Sequence, residues 1–188
     1  MLENLIQADR KAFLAINNAH DPIVDFVMYW ATDKWIWIPF YVWIIYILIK
    51  TFGSRTMMLM LMIAVLITIS DQTSVFIKDS VQRLRPCHDA YFNGMIHLVD
   101  NYCGGSYGFV SSHASNTMTF TFFITGILPV TQRWLKAEMF AFVLLVSYSR
   151  IYLGAHYPGD ILGGWLLGSI IGGFGIFVFR KLKIKEKI

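Results

Sequence analysis

Charge is what this chain has least of. Only 15% of its 188 residues are Asp, Glu, Lys or Arg, and 56% are hydrophobic. A water-soluble domain carries about a quarter of its residues as charges, so an ordinary soluble fold is excluded. Two cysteines and five prolines are too few for a disulfide-stapled scaffold or a proline-rich linker protein. No internal repeat, low-complexity tract or second domain breaks the sequence, and 1–188 reads as a single domain. The N-terminal stretch has neither the continuous apolar core nor the small-residue cleavage site of a secretory signal.

What is present is a set of hydrophobic blocks. Crossing a bilayer takes about 20 mostly apolar residues. Blocks at 35–50, 56–77, 114–131, 134–153 and 161–179 read as spans, the last of them Gly-rich. Pro22–Ala31 is shorter and holds Asp25, so it is either a tilted sixth span or an interfacial helix. Residues 1–18 have the pattern of an amphipathic helix, with Leu2, Leu5, Ile6, Phe13 and Ile16 near one face. The expected fold is an all-α integral membrane protein. It would be a six-helix bundle with at least five spans, preceded by that N-terminal amphipathic helix.

Charge placement sets the expected orientation. The net charge is +4, and the excess sits in a basic tail at 180–188. Such a tail suits the cytoplasmic surface of a membrane better than a nucleic acid. Lys50 with Arg55, and Arg133 with Lys136, bracket two short turns. Placing these and the tail inside puts the 86–112 loop outside. Lys78, Arg83, Arg85 and Arg150 then break the positive-inside rule as a cluster on the outer face. Cations placed against that rule suit the holding of anions. Cys87 and Cys103 both fall in the outer loop, either as a disulfide or as two thiols.

Three short motifs at span ends carry the chemistry. Lys78 and Arg85 lie seven residues apart, close to two helical turns, and Pro86 would stop that helix. Arg offers planar bidentate contacts to phosphate and Lys a point charge. Gly104 to His113 is a flexible run into a helix start, with Ser111 a candidate N-cap. The N–H groups of Ser112 and His113 would face an anion there, and His113 is placed to protonate a leaving oxygen. Arg150 closes one span, His156 follows in a short turn, Pro158 opens the next helix, and Asp160 lies four residues after His156. That carboxylate would take one imidazole N–H and leave the other ring nitrogen free to attack phosphorus. Three cations suit a dianionic phosphoryl group, and two imidazoles suit a nucleophile and a proton donor. In a membrane protein this inventory points to removal of phosphate from a lipid.

Other polar residues carry less. His20, His88 and His97 have no convincing metal spacing, and Asp33 with Lys34 reads as a surface turn. Asp71 lies two turns before Lys78, and would either pair with a site cation or take a structural hydrogen bond.

At these residues, over about 20–185, the chain resembles the type-2 phosphatidic acid phosphatase superfamily. Its signature is K-x6-R-P, then P-S-G-H, then S-R-x5-H-x3-D. Lys78, Arg85 and Pro86 complete the first motif, and Ser149, Arg150, His156 and Asp160 complete the third. In the second, Val110 stands for Pro and Ser112 for Gly, while Ser111 and His113 remain. The resemblance implies that His156 is the nucleophile, Asp160 its orienting partner, and His113 the acid and then the base. It implies that Lys78, Arg85, Arg150, Ser111 and the backbone N–H of Ser112 hold the phosphoryl oxygens, with no metal or cofactor. Ser112 in place of Gly is expected to alter rate or specificity without abolishing activity.

The expectation is therefore metal-independent hydrolysis of a phosphate monoester or pyrophosphate on a membrane lipid, through a phosphohistidine. The site would face the periplasm from a bacterial inner membrane. Undecaprenyl pyrophosphate and lipid A phosphate lead the substrates, followed by phosphatidylglycerophosphate and phosphatidic acid. The loop 87–110 would choose the headgroup, with Tyr91, Phe92, Tyr102 and Tyr107 near its entrance. The alternatives are a lipid-to-lipid phosphotransferase and a non-catalytic lipid binder. The soluble vanadate haloperoxidases of the same superfamily are larger and do not fit. The partner is a phospholipid-type substrate, with no nucleic acid, and the sequence leaves the oligomeric state open.

Overall fold

The computed structural model describes residues 2–101 and 103–185. Met1, Tyr102 and 186–188 at the end of the basic tail lie outside the described residues, as do the side chains of Leu2 and 183–185. Seven α-helices carry the described chain: α1 Leu2–Asn17, α2 Pro22–Ala31, α3 Ile38–Phe52, α4 Thr56–Val81, α5 Ser112–Ile127, α6 Arg133–Tyr152 and α7 Pro158–Lys185.

Local chemistry sets the helix limits. Asp21 caps α2 by accepting from the N–H groups of Ile23 and Val24, and Ser111 caps α5 by accepting from Ala114. Two expected limits are corrected. The block at 114–131 stops at Ile127, because Leu128 turns extended before Pro129. The helix expected to carry both Lys78 and Arg85 ends at Val81, where Gln82 takes a left-handed conformation (φ 52°). Arg85 lies beyond it on an extended segment. The Arg85 N–H donates to Ser106 O (3.0 Å), and the Gly108 N–H donates to Arg83 O (2.8 Å). Pro86 therefore opens a short 3₁₀ turn and does not stop a helix. Cys87 and Cys103 form a disulfide across the same loop.

At the centre of the bundle α5 packs against α7, the most extensive helix contact among the described residues, with α4 and α6 flanking α5. Glycines on α7 make that contact close. A Cβ added to Gly164 would lie 2.7 Å from Ser111 O, one on Gly168 2.4 Å from Ser115 O, and one on Gly172 2.9 Å from Thr119 O. This is the small-residue stripe by which helices approach backbone to backbone in lipid. Two polar side chains of α5 find partners: Ser115 Oγ meets Ser70 Oγ on α4 at 2.6 Å, and Thr125 donates to Thr121 O at 2.7 Å. A core of Ile44, Leu48, Leu59, Leu66, Phe123, Ile124 and Met139 fills the end of the bundle away from the motifs.

The outward faces are apolar. Val42, Leu61, Leu144, Leu166, Ile170 and Phe174 are more than half exposed, a surface suited to lipid and not to water. Two stretches, Lys34–Val81 (containing α3 and α4) and Pro158–Leu182, are long and apolar enough to cross a bilayer. Helix α1 is not wholly a surface helix. Leu5 and Ile6 are exposed, but Phe13 and Asn17 are fully buried. Phe13 packs edge-on against Phe92 and Tyr157, and the Asn17 amide donates to Tyr152 O at 2.7 Å.

The glycine stripe generates a stability prediction. Gly168→Ala should destabilise the bundle by about 1–3 kcal/mol through overpacking, read as a lower denaturation midpoint in detergent. Gly173→Ala, whose Cβ would meet only a Phe122 ring atom at 3.7 Å, should be close to neutral. Equal midpoints for the two variants would contradict the packing account.

Candidate active site

Four helix ends converge at one end of the bundle: the C-termini of α4 and α6 and the N-termini of α5 and α7. With Arg85 on the loop after α4 and His156 in the turn before α7, they bring together Lys78, Arg85, Ser111, Ser112, His113, Arg150, His156 and Asp160. A hydrogen bond from the Ser111 N–H to Asp160 O (3.0 Å) fixes the start of α5 against the start of α7. Ser111, Arg150, His156 and Asp160 are buried, whereas the His113 imidazole is exposed.

His156 lies at the centre. Its Nδ1 is 3.3 Å from Asp160 Oδ2, and its Nε2 is 3.2 Å from Arg85 Nη1. With Asp160 accepting the Nδ1 proton, Nε2 carries the lone pair and faces the Arg85 guanidinium. Burial pushes the His156 pKa well below the usual imidazole range, and the charges of Arg150, Arg85 and Lys78 push the same way. Both effects disfavour the cation, so His156 is neutral at pH 7.

The three cations approach from separate elements. Arg85 also donates to Tyr107 O (3.2 Å) and Ala155 O (3.3 Å), and a Cβ added to Gly104, whose φ of 133° favours glycine, would lie 3.2 Å from the guanidinium carbon. Arg150, at the end of α6, donates to Thr32 Oγ1 at 2.5 Å. Lys78, on the last turn of α4, donates to Ser112 Oγ, which is itself 2.6 Å from Ser74 Oγ. The serine that replaces the family's glycine thus turns its side chain toward α4 and holds Lys78. Asp71 takes a hydrogen bond from the Asn116 amide (3.1 Å).

His113 opens onto a cavity of about 230 Å³ lined also by Tyr29, Thr32, Asp33 and Lys34. It lies within electrostatic reach of Arg150, His156, Arg85 and Lys78. Asp33, expected in a surface turn, caps the 3₁₀ turn Lys34–Trp37 through the Trp35 N–H. Further along α5, Asn116 and Thr117 join Ile44, Leu48, Ile63 and Phe120 around an apolar crevice of about 300 Å³ between α3, α4 and α5.

The expected headgroup loop is partly corrected. Phe92 is not at an entrance but in the core, 2% exposed. Tyr91 is exposed and lies over the Arg10 guanidinium at 4.2 Å. His97 pairs with Asp25 (2.9 Å) and stacks on His20, away from the cations. Sequence reasoning did not single out Asp9, Thr32 or a role for Arg83 beyond the outer cluster. Arg83 donates to Asp160 Oδ1 at 2.8 Å. Its position between Lys78 and Arg85 was the available signal; for Asp9 and Thr32 there was none, because both contacts are long-range.

A titration follows from this geometry. In histidine-labelled protein in detergent, the imidazole signal lost in His156→Ala should remain that of a neutral ring as the pH falls through 6.5. A His156 that titrates at or above 6.5 would contradict the buried, cation-flanked setting.

Comparison with known proteins agrees with the fold. The chain is 37% identical over 182 residues to a lipid A 4'-phosphatase of Bacteroides thetaiotaomicron, covering 95% of this chain and 78% of that protein. It is 30% identical over 175 residues to a lipid A 4'-phosphatase of Porphyromonas gingivalis, covering 92% and 73%. Its fold superposes on the crystal structure of a transmembrane PAP2-type phosphatidylglycerolphosphate phosphatase from Bacillus subtilis, with a TM-score of 0.70 at 20% identity. That match covers 95% of this chain and 87% of the other. Residues 55–184, which contain all three motifs, match the PAP2 superfamily, and the chain belongs to that superfamily.

Proposed function

We propose that this membrane lipid phosphatase removes a phosphate from lipid A by way of a phosphohistidine on His156. The observation that carries the reading is the buried His156 held between Asp160 and Arg85, with His113 facing an open cavity.

Lys78, Arg85 and Arg150 would hold the phosphoryl oxygens and stabilise charge as it builds in the transition state. Ser111 and the backbone N–H of Ser112 would complete the cradle at the start of α5. The Nε2 lone pair of His156 forms the N–P bond while the P–O bond to the leaving group breaks. His113 gives its proton to the departing oxygen. Water then attacks phosphorus, its proton passes to His113, the N–P bond breaks, and inorganic phosphate leaves. Asp160 stabilises the positive charge on the ring while phosphorus is bound.

Because His113 must touch the leaving oxygen, the leaving group would occupy the cavity with Tyr29, Asp33 and Lys34. Those side chains suit a sugar bearing hydroxyl and acylamino groups, which favours lipid A over a prenyl or diacylglycerol phosphate. An acyl chain would enter the crevice between α3, α4 and α5.

The same reading places five membrane-crossing helices, α3 to α7, with α1 and the ten-residue α2 at the outer interface, where the Asp21 N–H donates to Tyr152 Oη (3.1 Å) and Arg150 donates to Thr32. Gln132 donates to Thr51 (3.2 Å), and Phe52 meets Phe179 edge-on. The turns bearing Lys50, Arg55 and Arg133 thus sit together with the tail, and by the positive-inside rule that end is cytoplasmic. The site then faces the periplasm from a bacterial inner membrane.

Phosphate release from lipid A, undecaprenyl pyrophosphate, phosphatidylglycerophosphate and phosphatidic acid, measured in detergent with EDTA, tests the reading. Lipid A should be preferred, His156→Ala should abolish release, and His113→Ala should lower kcat by about 100- to 10,000-fold. Asp33→Ala should lower kcat/KM for lipid A more than for phosphatidic acid. Activity retained in His156→Ala would overturn the mechanism, and no preference for lipid A would overturn the substrate.

A further inference from the structure

Asp160 has a second set of partners that the reaction above leaves unused. Its Oδ2 faces His156 and also accepts from the Tyr157 N–H (3.0 Å). Its Oδ1 accepts from Arg83 Nη1 at 2.8 Å. The other guanidinium nitrogen, Nη2, donates to Asp9 Oδ2 at 2.6 Å, and Asp9 Oδ1 accepts from the Gly159 N–H at 2.8 Å. Arg83 lies over the Tyr157 ring, its guanidinium carbon 4.0 Å from the centroid. A Cβ on Gly159 would fall 2.8 Å from Asp9 Oδ2, so α1 and the first turn of α7 meet without space for a side chain.

We infer that Arg83 and Asp9 are positioning residues: through Arg83, helix α1 fixes the orientation and the charge of the carboxylate that orients His156. The inference rests on the roles proposed above for His156 and Asp160. Asp9 lies outside residues 55–184, which match the superfamily, so the relay attaches a helix beyond the matched region to the reaction centre.

Geometry and charge both support the relay. A carboxylate held by one imidazole contact at 3.3 Å would be free to rotate. Arg83 on Oδ1 and the Tyr157 N–H on Oδ2 remove that freedom. The Arg83 charge also offsets that of Asp160, which keeps the carboxylate from drawing a proton onto His156. Asp9 prevents Arg83 from swinging away, since it holds the guanidinium from the opposite side. The other groups that face His156 are Arg85, Arg150, Lys78 on α4, His113 on α5 and the backbone of Gly108. The cations disfavour a protonated His156, and the Gly108 backbone and the Asp160 carboxylate favour it.

The sign of the effect follows. Without Arg83, the Asp160 charge acts on His156 undiminished and imidazolium becomes easier to form. The acid limb of kcat/KM, which reports the free enzyme, should move to higher pH. Arg83→Gln should lower kcat by about 10- to 100-fold, the range for residues that orient a reacting histidine from behind, with KM little changed. Arg83→Lys should restore part of the rate. Asp9→Asn keeps an oxygen for the Gly159 N–H and should shift the limb the same way by less. Arg10→Gln is the control: Arg10 also ties α1 to the loop, through Asp89 at 2.8 Å, but does not touch Asp160, so the limb should stay in place.

If Arg83→Gln does not fold, Asp9→Asn carries the same readout. A limb that moves no further in either variant than in Arg10→Gln, or a rise in KM with kcat unchanged, would overturn the inference. His156→Ala separates the two levels. If it stays active, the proposed mechanism fails and the relay with it. If it is inactive while the Arg83 and Asp9 variants leave the limb unmoved, the relay alone fails.

Discussion

The site depends on how closely α5 and α7 approach each other. Three glycines on α7 let its backbone rest on the carbonyls of Ser111, Ser115 and Thr119. That contact sets the register in which the Ser111 N–H reaches Asp160 O. The two proposed catalytic histidines belong to these two elements: His113 begins α5, and His156 immediately precedes α7. A shift of either helix by part of a turn would separate the imidazoles and turn the N-terminus of α5 away from the cations. In lipid, burying apolar surface does little to drive helices together, and close backbone packing supplies the specificity.

Around that fixed pair the electrostatics are unbalanced. Lys78, Arg85 and Arg150 reach the same small volume from three elements, and burial leaves His156 uncharged among them. Each cation is held back from the others by a neutral oxygen: Ser112 Oγ for Lys78, backbone carbonyls for Arg85, and Thr32 Oγ1 for Arg150. A dianionic phosphoryl group would relieve their mutual repulsion, so substrate binding and charge stabilisation draw on one arrangement. Ser112 belongs to this scheme. Where the superfamily pattern has glycine, this chain places a hydroxyl that seats Lys78.

Much of this could be read from the sequence, and the limits of that reading have physical causes. The five long apolar blocks, the Ser111 cap and the i, i+4 pairing of His156 with Asp160 are local patterns, and the structure keeps them. The helix expected from Lys78 to Arg85 was wrong because a seven-residue spacing fits both a helix and a helix followed by a turn. Gln82 in a left-handed conformation, with the cross-pairing of 83–85 against 106–108, decided between them. Phe92 read as an entrance aromatic because it lies in a loop, yet it fills the core against Phe13. The Asp9–Arg83–Asp160 and Arg150–Thr32 contacts join residues 74 to 118 positions apart, a separation at which a single sequence carries no pattern.

The central claim is that His156 carries the phosphoryl group between substrate and water. Rapid alkaline quenching of the protein with lipid A labelled in its phosphate, followed by peptide mapping, tests it most directly, because phosphohistidine survives alkali and decays in acid. The account predicts acid-labile label on the peptide containing His156, absent in His156→Ala and accumulating when His113→Ala slows the attack of water. Turnover of lipid A with no label on that peptide under any quench would contradict it.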